Sequence, residues 1–353
     1  MLSNQAIDLK RYQILEKIGH GNFGHVFCVK DILLNKVYAA KISKDEITQN
    51  DSNSQKLLFL FRETKIMSVL NHPTIIQFIG FSPIDFKGTS HPTIITEYAP
   101  NGTLKDIINS ENEGLSQQNW NDTQKIICIY GIASGMAYLH HNKIVHRDLK
   151  PENILMSDLF FPKISDFGLS KIYEYISESM NAQSQSGIKG TPLYMSPEIF
   201  SDNRYSEASD VYAFSLIVYQ IMTKITPFKD DNFFSLMIKV CQGERPELPE
   251  NIQKPFRDLI EKCWSQDPEK RPSFDEILDI LSTNHDFITE SINADSFFQY
   301  IDYLKQFEKV TLNIPKKLIK SKDFLTPTEN DKNEESTEIN INEDPNEINI
   351  NEE

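Results

Sequence analysis

Between residues 12 and 41 apolar, β-branched and aromatic positions alternate with polar ones, interrupted by the run GHGNFG. A period of two predicts strands. Residues 56–71 (KLLFLFRETKIMSVLN) change to helical spacing, which the following His-Pro pair stops. PTIITEY reads as another strand and runs into the turn-rich APNGTL. A long helix is predicted over about 117–141 through Ile126, Ile129, Ile132, Met136 and Leu139. Further helical patterns fill about 206–223, 231–242, 252–264 and 274–282. The front is strand-rich with one helix and the back is mostly helical, which predicts two lobes joined near residues 97–102. Farther on, Phe297, Ile301 and Leu304 fit one helix face within a partly helical extension, 284–324, that ends in Lys316, Lys317, Lys320 and Lys322. Residues 325–353 repeat EININE, lack aromatics and cannot bury enough surface to fold alone, so a disordered acidic tail is expected.

Charge sharpens this picture. The formal net charge is −15, but the tail holds ten acids and one lysine. The rest is only mildly acidic, which disfavours a nucleic-acid-binding role. Cys28, Cys128, Cys241 and Cys263 lie far apart with no CxxC pair, so neither a zinc cluster nor a redox motif is suggested. They read as reduced thiols in a cytoplasmic protein. The start, MLSNQAIDLKRY, has no apolar signal core, and VYAFSLIVYQIM is too short and polar to span a bilayer.

Candidate chemistry begins with IGHGNFGHV, residues 18–26. Gly19, Gly21 and Gly24 fit GxGxxG, whose backbone N–H groups can approach phosphate oxygens with no Cβ in the way. The same pattern also fits a plain tight hairpin. A strand follows it, which argues against a dinucleotide-binding βαβ unit. Lys41 ends the apolar strand VYAAK, either facing water or placed as a cation beneath the glycine loop. Glu63 lies near the helical stripe of Phe59, Ile66, Met67 and Leu70; it either faces water or, beside that stripe, takes a cationic partner, for which Lys41 is the candidate. In KIVHRDLKPENIL, residues 143–155, an apolar frame encloses His146, Arg147, Asp148, Lys150 and Glu152, and Pro151 excludes a helix interior. Such charge in an apolar frame is costly without partners or a task.

HRDLKPEN and the DFG at 166–168 resemble the catalytic loop and metal-binding motif of eukaryotic protein kinases. The resemblance covers about residues 12–283 and implies an α+β, two-lobed kinase fold, with a β-rich N-lobe over 12–98, a helical C-lobe over 99–283 and residues 1–11 as a flank. It implies ATP and protein substrates as partners, with Mg2+, or Mn2+ in its place, as the cation. Asp148 would accept the substrate hydroxyl proton, and Asn153 and Asp166 would hold the metal. Lys41 and Glu63 would form the phosphate-facing pair. The ATP pocket would comprise Ile18, Gly19, Gly21, Asn22, Phe23, Gly24, Val26, Ala39, Lys41, Thr96 as gatekeeper, Glu97, Ala99 and Leu155. Lys150, two residues after the aspartate, and Thr191 in KGTPLYMSPE resemble the serine/threonine type. HPTIIQFIGF, ITEYAPNGTL and CWSQDPEKRPSF resemble the tyrosine kinase-like group. Glu198 would pair with Arg271 in a buried ion pair, Asp210 would anchor the catalytic loop, and Ser196 replaces the commoner alanine. Arg147 would pair with a phosphate on the activation segment, whose candidate sites are Ser177, Ser179, Ser184 and Ser186. Dual-specificity or tyrosine kinase activity, an inactive kinase-fold scaffold, or an interaction protein working through residues 284–353 with the kinase as its appendage are the alternatives, and the C-terminal extension is the expected place for a regulatory partner.

Overall fold

The computed structural model describes residues 6–21, 24–46, 64–115, 119–172 and 189–307. The expected sites Asn22, Phe23, Glu63 and the four activation-segment serines lie outside them, as do the lysine cluster and the acidic tail.

The front half forms one antiparallel sheet of β1 (Tyr12–Gly21), β2 (Gly24–Asp31), β3 (Lys36–Ser43), β4 (Phe78–Ser82) and β5 (Thr93–Glu97), in the order β1-β2-β3-β5-β4. Side chains alternate across a strand, so register decides what each face carries. Val26 pairs with Lys41, Cys28 with Ala39, and Ala39 with Thr96. Val26, Ala39, Lys41 and Thr96 therefore share one face. The opposite face supplies Val29, Tyr38, Ala40 and Ile95, which pack with Leu9 and Tyr12 into a small core. The turn at the far end of β2 is tied by Asp31, whose Oδ1 accepts the Leu33 and Leu34 amides at 2.9 and 3.0 Å. Of the predicted 56–71 helix, the described part is helical at 64–67.

Past Glu97 the chain crosses to α1 (Leu104–Asn112), which Thr103 and Asp106 start with a reciprocal capping box. The Met156 amide donates to Gly102 O at 2.9 Å and the Asn101 amide to Met156 O at 3.2 Å. These bonds fix the crossing against β7 (Ile154–Met156), which pairs with β8 (Pro162–Ile164).

The helical half is built on α2 (Asp122–His141) and α4 (Glu207–Thr223), both apolar nearly all round and buried accordingly. α2 begins later than its apolar pattern suggests, because Asn121 caps it through the Gln124 amide at 3.1 Å. α3 (Pro197–Asp202), α5 (Phe233–Cys241), α6 (Lys254–Cys263) and α7 (Phe274–Thr283) surround them. α8 (Ala294–Lys305) buries Phe297, Tyr300, Ile301 and Leu304. It packs on α2, with the Phe297 ring edge-on to Tyr130 at 5.7 Å and the Asn293 amide donating to Thr123 Oγ1 at 2.9 Å. Gly131 permits this approach, since a Cβ there would come within 2.5 Å of Tyr300 Oη and 2.6 Å of Pro162 Cγ. Among the described residues no helix is long and apolar enough to cross a membrane.

Candidate active site

Two short strand pairs set two loops side by side. β6 (Ile144–Val145) pairs with β9 (Lys171–Ile172), and β7 with β8. The 146–153 loop links β6 to β7, and the 166–168 turn links β8 to β9. Arg147 and Asp166 both take left-handed backbone angles, φ 72° and 63°. Non-glycine residues adopt that region at a cost, and their surroundings must impose it.

Asp210 near the start of α4 imposes much of it. Its Oδ2 accepts the His146 amide at 2.8 Å and its Oδ1 the Arg147 amide at 2.9 Å. His140 of α2 donates Nε2–H to the same carboxylate at 3.0 Å. Asp210 is 2 % exposed, so these donors satisfy a charge that would otherwise be prohibitive there. His146 is fully buried, reaches Ser165 O through Nε2 at 3.1 Å and meets the buried Phe167 ring at 5.4 Å. Met67 belongs to the same core as Phe167.

Asp148 sits in a converging set of donors. Lys150 Nζ lies 2.8 Å from Oδ2, and Asn153 Nδ2 donates to Oδ2 at 3.1 Å and to the Asp148 carbonyl at 2.8 Å. Thr191 gives Oδ1 both its amide, at 2.9 Å, and its hydroxyl, at 2.8 Å. Lys150 Nζ also donates to Thr191 Oγ1 at 2.6 Å. The carboxylate is held in one orientation from three directions.

Lys41 Nζ lies 3.8 Å from Asp166 Oδ1. Burial opposes ionisation of Asp166, but Lys41, His146 and Lys150 outweigh it and hold its pKa below the ordinary carboxylate value. Asp166 is thus an anion beside Asn153, whose amide nitrogen is committed to Asp148 and whose carbonyl oxygen is the remaining polar atom. A carboxylate and an amide oxygen suit a hard divalent cation that keeps its other positions for water and phosphate oxygens. The donor set fits such an ion.

The shared sheet face forms one wall of the cleft beside this cluster. Val26, Ala39, Thr96 and Leu155 are partly exposed, and Ile18 is 40 % exposed. The Thr96 hydroxyl donates to the Glu97 carbonyl at 3.2 Å. The Glu97 carboxylate faces away, accepting Lys163 Nζ at 2.9 Å and the Gln77 amide at 2.8 Å. Ala99 lies on the crossing itself. Gly24 is required for packing as well as access: a Cβ on it would collide with the backbone carbonyl of Ile42.

Below the cleft, Arg271 and Glu198 form a two-pronged pair, NH1 to Oε1 and NH2 to Oε2, both at 2.8 Å. The Arg271 side chain is 0 % exposed and that of Glu198 8 %. Ser196 Oγ donates to Glu198 Oε1 at 2.7 Å, so the serine in SPE adds a hydrogen bond where alanine would add none. Ser215 turns its hydroxyl onto Tyr212 O at 2.6 Å, so its buried donor is satisfied. Sequence reasoning missed the contributions of His140 and Ser196. The only signal for them was a polar or aromatic residue flanking a motif.

Comparison with known proteins agrees with this geometry. A family model described as protein kinase domain matches residues 12–283. The chain is 33% identical over 277 residues to a probable serine/threonine-protein kinase, drkC, of Dictyostelium discoideum, an alignment covering 78% of this chain and 35% of that protein. It is 32% identical over 273 residues to the serine/threonine-protein kinase CTR1 of Arabidopsis thaliana, covering 76% of this chain and 31% of the relative. With STY17 of the same plant it shares 30% identity over 284 residues, 78% of this chain and 45% of the relative. The chain thus spans less than half the length of these relatives. With that model matching residues 12–283, over which the sheet face and the charged loop meet, this chain is a member of the protein kinase domain family.

Proposed function

We propose that the chain is an ATP- and Mg2+-dependent protein serine/threonine kinase of the tyrosine kinase-like group, acting in cytoplasmic signalling, with residues 12–283 as its catalytic domain. The observation that carries this reading is the fixing of Asp148 by Lys150, Asn153 and Thr191. In this arrangement the Asp148 carboxylate is held in one orientation, next to a lysine able to neutralise a phosphoryl group. Phosphoryl transfer needs such positioning and charge neutralisation more than covalent help.

ATP is the donor substrate. Glu97 and Ala99 offer backbone groups to the adenine edge, while Val26, Ala39 and Leu155 enclose the ring, with Ile18 at the mouth and Thr96 at the rear. Gly19, Gly21 and Gly24 bring backbone amides to the phosphates, and Asn22 and Phe23 complete the set of residues proposed to meet ATP. Lys41 binds the α- and β-phosphates, and Glu63 is its partner in the working state. Asn153 and Asp166 hold Mg2+, for which Mn2+ can substitute, and the bound ion neutralises phosphate charge. Asp148 accepts the proton of a serine or threonine hydroxyl as that oxygen bonds to the γ-phosphorus. The bond from γ-phosphorus to the β,γ-bridging oxygen breaks, and ADP leaves. Lys150 neutralises the transferring group, and Thr191 orients both. The names of the relatives support serine/threonine specificity, as does the Lys150–Thr191 contact at 2.6 Å.

The test is phosphotransfer from labelled ATP with Mg2+ to a generic acceptor protein, followed by phosphoamino-acid analysis, with Asp148→Asn as control. Label on serine or threonine that is absent from the control is expected. Label on tyrosine overturns the specificity, and ATP binding without transfer overturns the enzyme.

A further inference from the structure

The resemblance assigns Arg147 to an activation-segment phosphate. In the structure its guanidinium carbon lies 3.9 Å from the centre of the Tyr205 ring, within cation–π range. Tyr205 is 6 % exposed and follows α3. Its hydroxyl accepts the Lys189 amide at 2.8 Å and donates to the Lys189 carbonyl at 2.5 Å. Taking both backbone groups of one residue is what a neighbouring antiparallel strand does. Here one phenol replaces that strand.

Two residues later the same chain reaches the chemistry. Gly190 has φ 118°, a backbone angle other residues avoid, and a Cβ on it would lie 3.0 Å from the Arg147 carbonyl and 3.7 Å from Asp148 Oδ1. Thr191 then gives its amide and hydroxyl to Asp148 Oδ1. Lys189 is held by Tyr205 and Thr191 holds Asp148, with only the glycine between them. Arg147 backs the ring from the far side, and its own amide is fixed by Asp210 at 2.9 Å.

We propose that Tyr205 is a positioning residue that sets the end of the activation segment: its ring rests on Arg147 and its hydroxyl clamps Lys189, so that Thr191 orients Asp148. The inference rests on the kinase reading above. It makes the geometry around Asp148 depend on a phenol supplied by the fold.

Tyr205→Phe keeps the ring and its stacking on Arg147 and removes only the clamp. Phosphatase-treated wild-type and variant proteins are compared for kcat, for KM of ATP and for hydrogen exchange of the Lys189 and Thr191 amides. The variant is expected to lose about 10-fold or more in kcat, within the hundredfold that a misplacement of about 1 Å costs. KM for ATP stays within about twofold, because the nucleotide cleft is untouched. A general loss of folding would instead raise exchange throughout α2 and α4, so protection there separates positioning from collapse. Unchanged kcat in the variant, with active wild type, overturns the proposal and leaves the kinase reading standing. If the phosphatase-treated wild type itself transfers no phosphate, the amides alone decide the clamp. Faster exchange confined to 189–191 in the variant supports it, and unchanged exchange overturns it.

Discussion

Glu198→Gln tests how firmly the segment beneath the active site is held. The substitution preserves shape but replaces one carboxylate oxygen with a donor. Arg271 presents a donor to each oxygen, so one N–H now faces another. The Arg271 side chain is fully buried and loses its anionic partner, keeping one amide oxygen, Ser265 O at 2.9 Å, Ala208 O at 2.9 Å and the Tyr212 face at 5.3 Å as neutral compensation. Removing one partner of a buried pair costs ~3–5 kcal/mol. At about 2–3 °C per kcal/mol, thermal unfolding should fall by about 6–15 °C. Replacing both residues, Glu198→Leu with Arg271→Met, should recover part of that, because an apolar pair carries no buried charge. The recovery stays incomplete since two carbonyls lose their donor. The pH dependence has a definite sign. Burial alone would raise the Glu198 pKa, but Arg271 and Ser196 bring it below its ordinary value. A depressed carboxylate stabilises above its unfolded pKa and loses that contribution as pH falls through the folded one. The gap between wild type and variant should therefore be full at neutral pH and close in acid. The assay is calorimetric or dichroic melting from pH 3 to 8. A drop under about 2 °C at pH 7, or a gap that widens in acid, refutes the account.

Other outcomes follow from the same geometry. His72 is 5 % exposed and stacked on Tyr138, and burial, with help from Lys163, lowers its pKa to about 4. The unfolded chain binds that proton first, so stability should decline as pH falls from about 6.5 to 4, by up to about 3 kcal/mol; denaturant titrations showing no flatter profile in His72→Gln would contradict this. Thr96→Met should weaken inhibitors that reach past the adenine site by about 10-fold or more while sparing ATP, because a longer side chain fills the rear space; unchanged inhibition constants would count against a gatekeeper there. Gly24→Ala should destabilise the sheet even without nucleotide, by about 1–3 kcal/mol, since its Cβ meets the Ile42 carbonyl; a melting point equal to wild type would show that the hairpin yields freely.

The repetitive parts of this fold were legible in the sequence, and so was the central constellation. Helices expected over about 206–223 and 274–282 occur as Glu207–Thr223 and Phe274–Thr283, because apolar period and caps agree locally. Phe297, Ile301 and Leu304 do share a buried face. Of the residues that gather around Asp148, Lys150 and Asn153 lie in HRDLKPEN and Thr191 lies in KGTPLYMSPE. Partners across the fold were not legible: His140 meets Asp210 across 70 positions and Ser196 turns toward Glu198, choices made by packing. The clamp on Lys189 was equally hidden, since an aromatic residue before a helix is ordinary core material. The expected Lys41–Glu63 pair involves a residue outside the described set. The ion pair described for Lys41 is with Asp166 at 3.8 Å.

The docking of α8 bears on where the protein can be cut. The family match ends at 283, yet Phe287, Ile292, Phe297, Tyr300, Ile301 and Leu304 beyond it are all buried. The Tyr300 ring lies 4.6 Å from Phe161, and Phe307 comes edge-on to His72 at 6.1 Å. A recombinant fragment ending at 283 would leave Tyr130 and Phe161 without this cover, an apolar patch of the kind that makes isolated domains self-associate. Soluble expression should therefore require the chain through at least residue 307, and the smallest portable unit is longer than the family boundary.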